Sequence, residues 1–186
     1  VVADRSEVGE NLQDHLLVRG AFAVQLPSMN RLRSPGAQLG ALGRYAFTKR
    51  GPLAAGPCTV GAFFRSEPSL DRPDAQLHFV PCSFDVENGQ PELHAFDGMT
   101  ASVYQLRPTS RGRVQLRSSD ARQAPRIRPS HLETETDQQT IVRALKRQRS
   151  FFLSARLEAV RGRELLPGAG VQSDDDWLAF ARATGE

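Results

Sequence analysis

The sequence has few of the patterns that mark a targeting segment or a membrane span. It begins with valine, and its first residues include neither the basic region nor the apolar stretch of a signal peptide. No apolar run approaches the roughly 18 residues that a membrane-spanning helix needs. We therefore expect no membrane span in this segment. By default we expect a cytoplasmic protein, whose true N-terminus lies outside the sequence.

Cysteine and histidine are also scarce. The two cysteines, Cys58 and Cys82, fit no zinc-binding or CxxC spacing, and the four histidines are scattered along the chain. His78 lies near Cys82, but one such pair without a second pair is a weak metal signal. We predict no metal site, and two buried free thiols in place of a disulfide.

The motifs of a self-sufficient catalytic site are missing too. The sequence has no GxSxG motif and no P-loop. It has no GxGxxG motif either, because Gly36, Gly40 and Gly43 have the wrong spacing and lie within a predicted helix. The composition, with 39% hydrophobic residues and a mean hydropathy of −0.41, is that of a domain with a large polar surface.

Positive charge is carried almost entirely by arginine, and seven arginines lie within residues 107–128. A basic stripe of this kind could bind the phosphates of a nucleic acid. However, the chain carries 21 acidic residues against a net charge of +3, and in residues 113–117 arginine alternates with apolar residues, as on a solvated strand face. We predict no nucleic-acid partner. A basic α+β nucleic-acid-binding module remains the alternative.

Three helices are predicted from their start signals. Ser34 and Pro35 begin the first, which ends at Gly51. Residues 134–137 offer a capping box for the second, and Ser173, followed by three aspartates, caps the third. The buried face of the second helix is predicted to consist of Ile141, Val142, Leu145 and Phe152.

Strands are predicted from alternation and from short apolar runs. They cover residues 19–26, 59–64 as a buried strand, and 74–80, where Gln76 and His78 share the polar face. Residues 101–107 and 112–117 are predicted to form a hairpin. Residues 84–98, with turn signals at 88–89 and 97–98, and residues 166–170 are predicted to be loops. The fold class is therefore α+β, with an antiparallel sheet flanked by helices.

Five segments, in order along the chain, resemble motifs of one family. Residues 8–15 (VGENLQDH), which follow the valine-rich strand end at residues 1–4, are similar to the VGxNLxDH stretch of the glucose–methanol–choline (GMC) oxidoreductases. The other matches are TxxGPL in residues 48–53, PDxQxHF in 73–79, PxSRGxVxLxSxD in 108–120, and the GRExxPG turn of the choline-dehydrogenase-like branch in 162–168.

The resemblance implies a fragment of a flavoenzyme. Members of the family use FAD and pass a hydride from a primary alcohol to flavin N5, while a histidine accepts the hydroxyl proton. Residues 1–20 would form a connector that covers the flavin, residues 21–170 the substrate-binding domain, and residues 171–186 a helix that leads back to the missing FAD domain. The dinucleotide motif and the catalytic histidine of an HPxGTxxMG motif would lie outside this chain. We therefore expect no catalytic residue in the fragment, no activity, and no bound FAD.

The resemblance also suggests site residues. Asn11, Asp14 and His15 would lie in the loop that covers the flavin, although Asn11 and Asp14 could instead cap a turn. His94 falls where relatives place a polar residue near the substrate, although a loop histidine is commonly just exposed. Ser110 and Arg111 are expected to hold the hairpin, with Gly112 supplying a positive φ.

Thr59 aligns with a carboxylate that choline-oxidising relatives use to pair with the substrate's ammonium group. Because a threonine cannot neutralise a cation, we predict a neutral alcohol as the substrate, bound near Thr59. A non-redox lyase of the same family is a second alternative.

Overall fold

The computed structural model describes residues 3, 5–56, 58–87 and 89–186 of the chain. Two expected features lie partly outside these residues. They are the strand end at residues 1–4, of which only Ala3 is described, and the turn signal at residues 88–89, of which only Gly89 is described. The helices are α1 (Pro35–Thr48), α2 (Glu135–Phe152) and α3 (Asp174–Thr184). The strands are β1 (Val18–Val24), β2 (Val60–Phe64), β3 (Ala75–Val80), β4 (Phe84–Glu87), β5 (Gln90–Leu93), β6 (Gly98–Gln105), β7 (Arg113–Gln115), β8 (Arg126–Arg128) and β9 (Arg161–Leu166).

The centre of the fold is a five-stranded sheet in the order β2-β3-β6-β1-β9, in which every neighbouring pair is antiparallel. β6 lies in the middle, and all eight of its residues are buried. Two small ribbons, β4–β5 and β7–β8, stand apart from this sheet. The predicted fold class, α+β with an antiparallel sheet and helices, is confirmed. No helix in the described part of the chain is both long and apolar enough to cross a membrane.

One face of the sheet forms the hydrophobic core beneath α2. The helix lies over β6 and also contacts β1 and β3, while α3 packs against α2 and β1. Gly20 allows this close approach, because a Cβ atom there would lie 2.8 Å from Oε1 of Gln148 on α2. The Gln148 amide donates to the carbonyl of Ala101 on β6. The core consists mainly of Val18, Phe22, Ala75, Leu77, Ala101, Val103, Ile141, Leu145, Phe152 and Trp177.

A buried carboxylate joins the start of α2 to the end of β6. Asp137 accepts hydrogen bonds from Gln105 Nε2 at 3.0 Å, from the Thr109 backbone N–H at 2.8 Å and from the Ser110 backbone N–H at 2.7 Å. Ser110 Oγ in turn accepts from the backbone N–H groups of Glu133 and Thr134. Burial by itself raises the pKa of Asp137, but the hydrogen bonds from Ser110 and Thr109 outweigh it and lower the pKa from 3.8 to about 2.

An arginine fixes the other end of α2. Arg149 donates to Glu164 on β9 at 2.8 Å and to the carbonyls of Val171 and Gly168 at 2.6 and 2.9 Å. Its guanidinium also lies 4.2 Å from the centre of the Trp177 ring on α3. One side chain therefore ties α2 to β9, to the following loop and to α3.

The predicted helix starts are confirmed. Ser34 and Thr134 accept from backbone N–H groups in the first turns of α1 and α2, and Ser173 forms a complete capping box with Asp176. In α2 the reciprocal half of the predicted box is absent, because the Asp137 carboxylate binds residues 105–110. The predicted apolar face of α2 is buried throughout.

Several strand predictions are wrong. For β6 the reason is that its pairing partners are distant in sequence. β6 pairs with β1 and β3 and not with the segment after the turn, so residues 101–117 form no hairpin. Instead β7 pairs with β8. Residues 84–93, predicted as a loop, form the β4–β5 hairpin, and the strand β9 was not predicted.

Three burial or backbone predictions also need correction. β2 is an edge strand whose residues are mostly exposed, and not a buried strand. Cys58 is exposed, whereas Cys82 is buried, and both are free thiols. Gly112 has no positive φ. It is required for space, because a Cβ atom there would lie 2.0 Å from the carbonyl oxygen of Arg128.

Replacing Asp137 by asparagine is expected to lower the free energy of unfolding by about 2 kcal/mol at pH 7, because the amide cannot accept all of these hydrogen bonds as an anion does. Since the folded-state pKa is lowered, the contribution of Asp137 is complete above pH 3.8 and is lost as the pH falls through about 2. Urea titrations at pH 7 and at lower pH would measure this. Asp175→Asn, at an exposed position in the first turn of α3, is the control and should change stability little. Equal effects of the two substitutions would contradict the assignment.

Candidate functional site

The face of the sheet opposite α2 carries a row of polar side chains. In the strand register, Arg19 on β1 pairs with Ser102 on β6, Ser102 pairs with His78 on β3, and His78 pairs with Gly61 on β2. Because side chains alternate along a strand, these residues point to the same face. Gly61 leaves open space beside His78, since a Cβ atom there would touch only one backbone oxygen, at 3.8 Å.

His78 is the centre of a hydrogen-bonded cluster on this face. Its Nε2 atom lies 2.6 Å from Nε2 of Gln76 and 3.2 Å from the hydroxyl oxygen of Tyr104. The Tyr104 ring stands edge-on to the His78 ring, with 5.3 Å between centroids. His15 lies against the other side of Tyr104, at 4.6 Å between ring centroids. We call His15, Gln76, His78 and Tyr104 the sheet-face cluster.

The N-terminal segment places His15 in this cluster. The backbone of Leu12 pairs with that of Gly112 through hydrogen bonds of 2.9 and 2.7 Å, and Val114 N–H donates to the carbonyl of Gly9 at 2.7 Å. His15 Nε2 lies 3.4 Å from the carbonyl oxygen of Leu106. A shallow cavity of about 140 Å³ lies beside His15 and is lined by Gln13, Asp14, Leu106 and Pro108.

The sheet-face cluster contains no carboxylate and no arginine. Burial, with a smaller electrostatic effect of Cys58, raises the pKa of the Tyr104 hydroxyl. Tyr104 therefore keeps its proton at neutral pH and can donate a hydrogen bond. At the border of the cluster, Arg19 is engaged by Glu186 and by the carbonyl of Phe84. These properties suit the recognition of a neutral polar ligand.

The predicted cofactor-binding residues lie together but differ in their surroundings. Asn11 is exposed and has a positive φ of 60°. The carboxylate of Asp14 accepts from the backbone N–H of the next residue, His15, at 2.8 Å. This contact is not the predicted turn cap, because residues 13–17 form no turn. Of the three, His15 is the residue whose ring packs on Tyr104 and which belongs to the sheet-face cluster.

The two predicted substrate-binding residues are not brought together. Thr59 is exposed at the start of β2, where its backbone N–H donates to the carbonyl of Phe79 at 3.0 Å. His94 lies at the base of the β4–β5 hairpin. Its Nδ1 atom is 2.9 Å from Ser83 Oγ, its Nε2 atom is 3.1 Å from the Asp85 carboxylate, and its ring stacks on Phe96.

The Ser83–His94–Asp85 arrangement has the residue types of a nucleophilic triad but lacks its accessibility. Ser83 is fully buried, and its Oγ atom occupies the position that a Cβ atom of Gly98 would take. Asn30 encloses it further by bonding the backbone N–H and carbonyl of Ser83. The arrangement therefore holds the hairpin in place and does not offer a nucleophile to a substrate.

Gln76, His78 and Tyr104 were not among the predicted site residues. The alternation along β3 placed Gln76 and His78 on one polar face, which was the available signal. Tyr104 gave no such signal, because β6 is buried on both faces. Within the described ranges, no group of three or more histidine, cysteine, aspartate or glutamate side chains could hold a metal ion.

The arginine segment does not form one continuous stripe. Arg107 and Arg111 donate to the backbone carbonyls of Pro73 and Pro108, and Arg122 pairs with Asp120. Arg113 and Arg128 lie directly opposite each other on the exposed β7–β8 ribbon. The segment is thus divided between local contacts and a small basic surface.

A larger crevice of about 440 Å³ lies away from the sheet-face cluster, between the start of β3 and α2. Several of its charged groups already have partners. Asp137 is bound as described above, Arg143 pairs with Glu67, and the Asp74 carboxylate accepts from Ser66. This crevice is therefore a weaker candidate for a ligand site.

Comparison with known proteins gives a consistent family. A family model described as GMC oxidoreductase matches residues 108–186. The chain is 35% identical over 191 residues to an oxygen-dependent choline dehydrogenase of Pectobacterium atrosepticum, covering 100% of this chain and 33% of the relative. It is 32% identical to an alcohol dehydrogenase [acceptor] of Pseudomonas putida, covering 100% of this chain and 34% of the relative. The chain thus spans about a third of the length of these relatives.

The fold also has a counterpart among solved structures. A formate oxidase variant from Aspergillus oryzae superposes on the whole chain with a TM-score of 0.84, at 21% sequence identity and over 37% of that protein. At this identity the similarity concerns the fold.

Replacing His94 by alanine is expected to loosen the β4–β5 hairpin, since β4 and β5 make few contacts with other described elements and His94 bonds both Ser83 and Asp85. Loss of these two bonds should raise the rate of limited proteolysis within residues 84–93 roughly tenfold. His131→Ala, at a half-buried loop position, is the control. If both variants are cleaved at the wild-type rate, His94 does not hold the hairpin.

Proposed function

The chain belongs to the GMC oxidoreductase family, and from this we propose that the full-length protein is an FAD-dependent alcohol oxidoreductase of the choline-dehydrogenase-like branch. The observation that carries the proposal is the 35% identity to a choline dehydrogenase, which extends over the whole chain. In this proposal residues 21–170 form the substrate-binding domain, and residues 1–20 and 171–186 connect it to the FAD domain.

The residues of this chain fit a flavin-covering role better than a complete flavin site. Gly36, Gly40 and Gly43 lie within α1 with open space around them, so they form no phosphate-binding turn. Asn11, Asp14 and His15 lie in an exposed segment beside the sheet-face cluster, where they could contact a flavin held by the rest of the protein. When bound, FAD would supply the hydride acceptor at N5.

The face of the sheet opposite α2, beside the open space at Gly61, is the surface that we propose for the alcohol. It offers uncharged hydrogen-bonding groups from Gln76, His78 and Tyr104, and Gly61 leaves space beside them. Because the sheet-face cluster includes no carboxylate and Thr59 is uncharged, nothing in it would neutralise an ammonium group. A neutral primary alcohol is therefore the proposed substrate class.

The first test is to compare the full-length protein with the isolated chain. The full-length protein is expected to be purified with FAD and to reduce an electron acceptor when a primary alcohol is added, whereas residues 1–186 alone should retain no FAD. A full-length protein that holds FAD but converts its substrate without reducing any acceptor would favour the lyase alternative. Steeply salt-dependent binding of DNA or RNA, with no flavin, would favour the nucleic-acid alternative.

A second test concerns the choice of alcohol. Thr59→Glu in the full-length protein is expected to raise kcat/KM for choline relative to an uncharged primary alcohol of similar size, by roughly tenfold, because a partly exposed carboxylate attracts the ammonium group. Thr59→Gln, which is nearly the same size but uncharged, is the matched control. The placement of Thr59 beside the substrate is wrong if glutamate and glutamine give the same ratio.

A further inference from the structure

We propose that Gln76 and Tyr104 hold His78 as a neutral imidazole with its proton on Nδ1, so that His78 offers a hydrogen-bond donor to the oxygen of a hydroxyl-bearing ligand. Tyr104 is then a positioning residue that acts through His78. The role of the ligand rests on the proposed function, but the protonation state of His78 does not.

The contacts at one ring nitrogen carry the inference. Nε2 of His78 is approached by two groups, the amide nitrogen of Gln76 at 2.6 Å and the hydroxyl of Tyr104 at 3.2 Å. An amide NH₂ group can donate but cannot accept, and a hydroxyl can do either. With the amide in this orientation, Nε2 accepts from Gln76 and therefore carries no proton. The hydroxyl of Tyr104 can then donate to the same unprotonated nitrogen. An amide turned by 180° would present its oxygen and could accept from Nε2, so Gln76 alone does not fix the tautomer.

The surroundings of Tyr104 keep it in the donating form. The side chain is buried in the middle of the sheet, and this burial raises the pKa of its hydroxyl. His15 covers one face of the Tyr104 ring, and Gln76 is its direct cross-strand neighbour. Gln76 lies on β3, the strand of His78 itself, and Tyr104 lies on the neighbouring strand β6, so the backbone pairing of β3 and β6 fixes the positions of both donors.

The other ring nitrogen is available for a ligand. Among the described residues, no hydrogen-bond partner is found for Nδ1 of His78, although both ring nitrogens of His94 have partners. His78 is half-buried and lies next to the open space at Gly61. A neutral imidazole with a proton on Nδ1 can donate to an alcohol oxygen there, whereas the opposite tautomer could only accept.

The direct test is ¹⁵N solid-state NMR of the full-length holoenzyme with labelled histidine. The signals of His78 are assigned from their loss in His78→Gln, and Nδ1 is told apart from Nε2 by the ring carbons to which each is bonded. At neutral pH we expect a protonated Nδ1 and an unprotonated Nε2. A proton on Nε2, alone or on both nitrogens, would overturn the proposal.

Two substitutions change the donors in opposite ways. Tyr104→Phe keeps the ring that packs on His15 but removes the hydroxyl, and should produce a mixture of the two His78 tautomers. In the same variant KM for a neutral primary alcohol should rise about three- to tenfold while kcat changes little, because one neutral hydrogen bond is lost. Gln76→Glu replaces a donor by an acceptor and should move the proton to Nε2.

Tyr45→Phe is the matched control, since Tyr45 lies on α1, away from the sheet-face cluster, and its hydroxyl makes no hydrogen bond to the described residues. It should leave the NMR signals of His78 and the value of KM unchanged. If Tyr104→Phe leaves the tautomer unchanged, Tyr104 is not a positioning residue. If the tautomers behave as expected but no alcohol is turned over by the wild type, the proposed function fails while the assignment of the His78 proton stands.

Discussion

The packing of α2 on one face of the sheet is the constraint on which the rest of the structure depends. Apolar side chains of β1, β3 and β6 on that face are buried by α2 and α3, and their removal from water is the main driving force of the fold. Asp137 and Arg149 fix the two ends of α2 through buried or half-buried hydrogen bonds. The Asp137 carboxylate accepts hydrogen bonds from residues 105–110, and without these partners a buried carboxylate would be strongly destabilising. These hydrogen bonds therefore hold residues 105–110 against the start of α2.

Because one face of the sheet is covered by helices, the opposite face is where polar side chains can be presented. β1, β3 and β6 place Arg19, His78 and Ser102 in a row on that face. Because side chains alternate along each strand, the neighbouring residues can be apolar and face α2. The N-terminal segment adds His15 by pairing with Gly112. The sheet-face cluster is therefore assembled from three parts of the chain that are far apart in sequence.

The proposed function gives the sheet-face cluster a role in the whole protein. In our proposal the flavin is held by a part of the protein outside this chain, and the sheet face opposite α2 is the wall that this chain contributes to the alcohol site. His94, which the sequence suggested for that role, instead fixes a hairpin through Ser83 and Asp85. The loop that would cover the flavin is held close to the cluster by backbone hydrogen bonds of Leu12 and Gly9.

The sequence by itself determined the helix starts and the family. Ser34, Thr134 and Ser173 identified the helix starts correctly because helix capping depends on residues within one turn. The order of motifs in residues 8–15, 48–53, 73–79, 108–120 and 162–168 identified the family. The tertiary structure decided which strands pair and which side chains meet, because β6 pairs with strands that begin some 20 to 80 residues earlier. For that reason the exposed β2, the unpredicted β9 and the contact between His78 and Tyr104 could not be obtained from local patterns, which carry no information on long-range pairing.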